Sequence, residues 1–267
     1  PPNVVITTGA EYGVVIEADH TEMDNCTAHG FQYGVVLANF GIGNRFIRCG
    51  FVYNTKVGFA VTPGTAAAYA AYHPNLTVPA SLSTSTFYDM YDCTIRKNGW
   101  GIILRDAWGS FKLGRIESNY FGGLYIYKGT LDSSVSGIFD TVHFENNWLS
   151  MADLSADYTI TQNNLLQQTA GVWPTFTIDH IDNGVTYAGY QLYMGSVAAG
   201  TQSGPTEMRF KQCDFTLTGS AVKKAMFLES SYLTQFIDCG ASGGDLKNQI
   251  RLGSGTHDSN ETQFHYC

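Results

Sequence analysis

The chain has 267 residues, of which 14 % are charged, with 29 Gly, 16 Tyr and 16 Phe. A formal charge of −8 argues against a nucleic-acid groove, which needs an excess of Lys and Arg. No run approaches the 18 apolar residues of a membrane-spanning helix, and sparse charge with abundant Gly and aromatics suits strands and tight corners better than helices.

The predicted elements begin with short Gly-led apolar strands: Gly13-Val14-Val15-Ile16, Gly34-Val35-Val36-Leu37, Gly58-Phe59-Ala60-Val61 and Gly101-Ile102-Ile103-Leu104. Between and beyond them every cysteine stands three residues after a Phe or a Met: Met23/Cys26, Phe46/Cys49, Met90/Cys93, Phe210/Cys213, Phe236/Cys239 and Phe264/Cys267. One phase recurring this often marks a repeat, and a repeat of strands alone marks a β-solenoid. Coil length follows from the glycines: 21 residues from Gly13 to Gly34, 24 from Gly34 to Gly58, 22 from Gly101 to Gly123. The 43 residues from Gly58 to Gly101 are one coil plus an insertion at about 62–86. Further insertions are expected at about 149–174 and 184–205, projecting from coil corners where long loops are tolerated. Strands resume at Tyr190-Gln191-Leu192-Tyr193, Ala225-Met226-Phe227-Leu228 and Ile250-Arg251-Leu252.

The cysteine frame extends to coils without cysteine. Phe46-Ile47-Arg48-Cys49-Gly50-Phe51 matches Phe111-Lys112-Leu113-Gly114-Arg115-Ile116, Phe139-Asp140-Thr141-Val142-His143-Phe144 and Phe210-Lys211-Gln212-Cys213-Asp214-Phe215. Three residues after the last apolar position come Asn54, Asn98, Asn119 and Asn147, a column of amides suited to hydrogen-bonding along one corner. The cysteines are expected to be free interior thiols rather than bridges, because the gaps from Cys49 to Cys93 and from Cys93 to Cys213 skip coils, and a buried thiol behaves as a small apolar group. Hexapeptide helices have shorter coils, and the leucine-rich signature is absent. The expectation is one all-β domain over residues 1–267, a parallel β-helix of 21–24-residue coils. It opens at Pro1-Pro2 and reaches Cys267 where another unit would continue, which reads as a piece of a longer chain.

Three segments, 93–102 (CTIRKNGWGI), 122–126 (GGLYI) and 143–147 (HFENN), resemble the pectin-lyase-like right-handed parallel β-helix superfamily, and most of the chain shares in the likeness. Within that group the chain looks most like a bacteriophage tailspike or capsule depolymerase. The resemblance implies right-handed winding, a homotrimer and a bacterial surface polysaccharide as partner. It also implies residence in the virion tail after folding in the host cytoplasm, with a secreted bacterial protein as the alternative. The likeness is specific for fold and weak for chemistry, because the superfamily holds hydrolases, lyases and non-catalytic binders.

Superposing coils puts Arg96, Glu117 and Glu145 in one outward column at about 4.8 Å per step. Two carboxylates that close divide into an acid and a base or nucleophile, as glycosidases require. Glu117 and Glu145 are therefore the expected catalytic pair, with Asp106 and Asp140 in reserve; the plainer alternative is a solvated charge ladder. Lys112 aligns with Asp140, which Asp179 would join if Ile178-Asp179-His180-Ile181 is the next coil. Arg115 aligns with His143, and these cations and imidazoles would serve a lyase acting on a uronate. Sugar rings stack on aromatics. Trp100, Trp108, Tyr120, Tyr125, Tyr127 and Trp148 lie outside the cysteine-marked interior phase in the same coils, and Tyr125 and Tyr127 have the outward parity against Leu124 and Ile126. Trp108, Tyr120, Tyr125, Tyr127 and Trp148, with Arg96 and His143, are the expected substrate-binding set. No zinc spacing or calcium loop is present, and neither metal nor cofactor is expected. A hydrolase, a lyase and a pure binder all remain open.

Overall fold

The computed structural model describes residues 12–16, 18–38, 42–54, 56–62, 86–105, 107–119, 122–128, 135–147, 190–196, 205–217, 224–228, 231–243, 250–252 and 259–267. Regular structure among them is entirely β. The first sheet holds eight strands: Tyr12–Ile16, Tyr33–Ala38, Val57–Thr62, Trp100–Arg105, Gly122–Lys128, Tyr190–Ser196, Lys224–Leu228 and Ile250–Leu252. The second also holds eight: Glu22–Asp24, Asn44–Ile47, Thr86–Tyr91, Ala107–Lys112, Ser136–Asp140, Met208–Lys211, Gln235–Ile237 and Gln263–His265. The third holds seven, Thr27–His29, Gly50–Val52, Thr94–Arg96, Arg115–Glu117, His143–Glu145, Asp214–Leu217 and Gly240–Gly243. Ser231–Tyr232 pairs separately with Ser259–Asn260. All pairing is parallel, and the chain visits the sheets in turn, so each circuit is one coil stacked in register on the last. This is the arrangement of a β-solenoid. The register carries the first sheet from Gly122–Lys128 directly to Tyr190–Ser196, and the second from Asp140 directly to Lys211. The place above Asp140 thus belongs to Lys211, whereas Asp179 falls outside the described residues.

Interior columns keep one kind of side chain. Phe139, Phe210, Phe236 and Phe264 stack with ring centroids 5.1, 4.8 and 4.8 Å apart. Phe144 and Phe215 stack at 4.6 Å. All six cysteines are free: Cys49, Cys93, Cys213 and Cys239 are buried, Cys26 is half-buried and Cys267 exposed. The recurrent spacing from Phe or Met to Cys has a physical cause, because from Cys49 onward each thiol reaches the carbonyl of that residue one coil below. Cys49 donates to Met23 at 3.2 Å, Cys93 to Phe46 at 3.3 Å and Cys239 to Phe210 at 3.3 Å. Neighbouring thiols also act on each other's ionisation. A hydrogen bond with Cys213 draws Cys239 down to about 7, while the same contact and burial push Cys213 far up. In the frame position of coil four stands Gly114, and the Phe111 ring fills the space a Cβ there would take.

Two corners are built by single left-handed residues. Asn25, Arg48, Asp92, Leu113, Thr141, Gln212, Asp238 and Tyr266, each just before the cysteine position, have φ between 51° and 56°. Their N–H groups still donate up the stack, Asp92 to Lys112 O at 2.9 Å, Leu113 to Asp140 O at 3.0 Å and Thr141 to Lys211 O at 2.8 Å. The ladder therefore passes unbroken from the second sheet to the third. At the other corner the amides form the expected column: Asn54, Asn98, Asn119 and Asn147 are fully buried, and each Nδ2 donates to the next amide oxygen above. The Gly-led strands follow from this, since a Cβ at Gly34, Gly58, Gly101 or Gly123 would sit 2.6–2.8 Å from the Nδ2 of the amide above it. Where the column ends, Gln191 replaces the glycine and its own Oε1 accepts from Asn147 N at 3.2 Å and from Asn147 Nδ2.

Candidate functional site

The unbroken corner makes the outer faces of the second and third sheets one continuous surface. Strand alternation lays outward side chains in rows along each coil and columns across them. Coil three presents Phe87, Asp89, Tyr91, Thr94 and Arg96; coil four presents Trp108, Ser110, Lys112, Arg115 and Glu117. Coil five presents Ser136, Ile138, Asp140, His143 and Glu145, and coil six Arg209, Lys211, Asp214 and Thr216.

The third-sheet part is a chain of paired charges. Arg96, Glu117 and Glu145 are in register on successive rungs, as their frames require. Arg96 Nη1 lies 3.6 Å from Glu117 Oε1, and the Glu117 side chain is only 17 % exposed. Glu145 Oε2 meets His143 Nε2 at 3.1 Å, and His143 Nδ1 faces Asp214 Oδ2 at 3.4 Å. Thr216 Oγ1 donates to the same Asp214 oxygen at 2.9 Å. A neutral imidazole carries one N–H and an imidazolium two, so only the charged ring donates to both carboxylates at once. Across the corner, Asp140 Oδ2 is 3.8 Å from Lys211 Nζ, which leaves Lys112, its partner in register, without an ion pair among the described residues. Asp214 was the missed member of this cluster. Its signal was present, because the Phe210 and Phe139 frames place it directly over His143.

The second-sheet part is aromatic. Trp108 is 41 % exposed and its ring centroid lies 4.6 Å from that of Phe87 one coil below. Beside them Ser110 Oγ donates to Asp89 Oδ1. Phe87 and Asp89 escaped the sequence reading because no cysteine-frame comparison reached the start of their strand.

Tyr125 needs correction as an exposed sugar platform. It keeps its expected parity, in the column Val36, Ala60, Ile103, Tyr125, Tyr193, outside the interior cluster. Yet all five are at most 1 % exposed, and Tyr125 stacks on Tyr193 at 4.7 Å and packs against Trp100 at 5.5 Å. In these central strands the first sheet is apolar and buried on both faces, so parity there does not mean exposure. Asp106, Tyr120 and Trp148 lie outside the described residues, as does the side chain of Tyr127. Among the described residues no cluster of His, Cys, Asp and Glu has the makings of a metal site.

The surface thus combines an apolar ring face, exposed cations and two carboxylates in register on adjacent rungs. No family model, curated protein or solved structure matches this chain.

Proposed function

We propose that this chain is the right-handed β-helical body of a homotrimeric, tailspike-type virion protein that binds a bacterial capsule or O-antigen polysaccharide and hydrolyses it. The observation that carries the reading is the register of Glu117 with Glu145 on the outer face of the third sheet. One rung is about 4.8 Å, close to the roughly 5–5.5 Å separation of carboxyl groups in retaining glycosidases. Arg96 offers its cation to Glu117, which suits the nucleophile or base, and His143 can return a proton to Glu145, which suits the acid. Trp108 with Phe87 supplies an apolar face for a sugar ring.

A second reading has a specific observation behind it. His143, held between Glu145 and Asp214 and in register with Arg115, has the partners of a base that removes a proton beside a uronate carboxylate. Incubation with purified capsule or O-antigen separates the two. Hydrolysis yields new reducing ends without new ultraviolet absorbance; elimination yields an unsaturated product that absorbs. For the hydrolase, Glu117→Gln and Glu145→Gln each lower the rate about 10²–10⁴-fold, and full activity in both variants would refute the assignment. Binding without either product signal makes the chain a receptor-binding body.

A further inference from the structure

Four cations on the described outer surface are held by carboxylates. Arg45 pairs with Glu22 at 3.2 Å, Arg48 with Asp24 at 2.7 Å, Arg96 with Glu117 at 3.6 Å and Lys211 with Asp140 at 3.8 Å. Lys112 and Arg115 are exposed and, like Arg209 two coils on, have no ion pair among the described residues; these two alone of the three share a coil, flanking its Leu113 corner. Their neighbours in register are no substitute. Lys112 sits between Tyr91 and the Asp140 that Lys211 holds, and Arg115 between Thr94 and the His143 that two carboxylates hold. Two neighbouring cations without an ion pair among the described residues, in a chain of net charge −8, form a local positive point on an acidic body.

The same coil carries Trp108 four residues before Lys112, about 13 Å along the strand, and Glu117 two residues after Arg115. Aromatic face, cation pair and carboxylate thus lie in one row. We infer that the glycan runs along this row, following one rung, and that it is an anionic polysaccharide whose carboxylate or phosphate sits between Lys112 and Arg115. The guanidinium fork matches either oxyanion, and the ammonium adds a point charge. Trp108 takes the apolar face of a flanking sugar, which places the anionic residue between the aromatic contact and the acid pair. This rests on the glycan-binding reading of the outer face.

The test is binding of the full chain to an array of bacterial capsular and O-antigen polysaccharides in three groups: uronate-containing, phosphodiester-linked and neutral. Binding confined to one or both anionic groups, weakened by added NaCl and reduced at least tenfold in Lys112→Gln/Arg115→Gln, supports the inference; the responding group names the oxyanion. Both side chains are exposed, and circular dichroism checks that the variant keeps its fold. Equal binding of neutral polymers, or a double variant within twofold of the parent, overturns the anionic assignment and leaves glycan binding standing. Retention of no polysaccharide overturns both.

Discussion

The amide column makes a strong demand on one residue. Asn98 Oδ1 accepts from Asn54 N at 2.9 Å and from Asn54 Nδ2 at 3.0 Å, and its Nδ2 donates to Phe51 O at 2.9 Å and to Asn119 Oδ1 at 3.0 Å. Asn98→Ala removes all four bonds from a fully buried corner. At a net ~1 kcal/mol each the loss is about 4 kcal/mol, and a water entering the vacated volume returns part of it. Asn98→Asp is the sharper variant. It keeps the two accepting contacts but turns a carboxylate oxygen toward the Phe51 and Asn119 oxygens, in a site without solvent, so it is expected to cost more than alanine. Because stacked repeats need not unfold as one unit, urea unfolding by circular dichroism should be paired with hydrogen exchange at the Asn54 amide, which loses its partner first. An alanine variant within ~1 kcal/mol of the parent, or an aspartate variant at least as stable as the parent, would refute the ladder as the corner's support. The Gln191 arrangement supplies a rescue. Gly58→Gln alone is blocked, because its Cβ would meet Asn98 Nδ2 at 2.6 Å, but combined with Asn98→Gly it delivers an amide from below and should recover stability relative to either single change.

Three further outcomes follow from the corners and the thiols. Gly114→Ala forces its Cβ to 2.0 Å from the Phe111 ring and 2.8 Å from Cys93 O, and should cost about 1–3 kcal/mol in thermal or urea unfolding. Thr141 is β-branched at φ 56°, a conformation glycine adopts freely, so Thr141→Gly should stabilise by about 1 kcal/mol and raise Tm by roughly 2–4 °C. Cys239, drawn down to about 7 by its hydrogen bond with Cys213, is thiol below that pH and thiolate above it. Thiolate absorbance at about 240 nm should therefore rise through pH 7, and Cys239→Ser should remove part of that rise, whereas Cys213 contributes none there because the shared proton and burial keep its thiol.

The interior was legible because one chemistry recurs at one phase. Phe46, Met90, Phe111, Phe139, Phe210 and Phe236 occupy a single column, and the cysteine three places on fixes the frame without any alignment. The Asn column was legible for the same reason, and the Gly-led strands turn out to be its consequence. The left-handed corners were hidden, because most of the residues that adopt them, Leu113, Thr141 and Gln212 among them, are not the glycines or asparagines that usually announce positive φ. Tyr125 was misread because alternation tells inside from outside only where the outer face meets solvent, and the first sheet's does not.

The candidate site obeys the opposite rule from the core. Down the second sheet's outer face one column reads Glu22, Arg45, Asp89, Ser110, Ile138, Arg209, changing charge and size at almost every rung, while the column beside it in the interior stays aromatic or methionine. Coil stacking therefore fixes where an outward side chain sits without constraining what it is. Chemistry arises from contacts between rungs, and the residues that make it are distant in sequence: His143 and Asp214 meet across the longest insertion, which shifts no register. A functional residue in such a fold is recognisable by its address, rung and row, before its partners are known. Asp214 shows the consequence, since nothing in its own neighbourhood marks it, and only its place above His143 makes it part of a site.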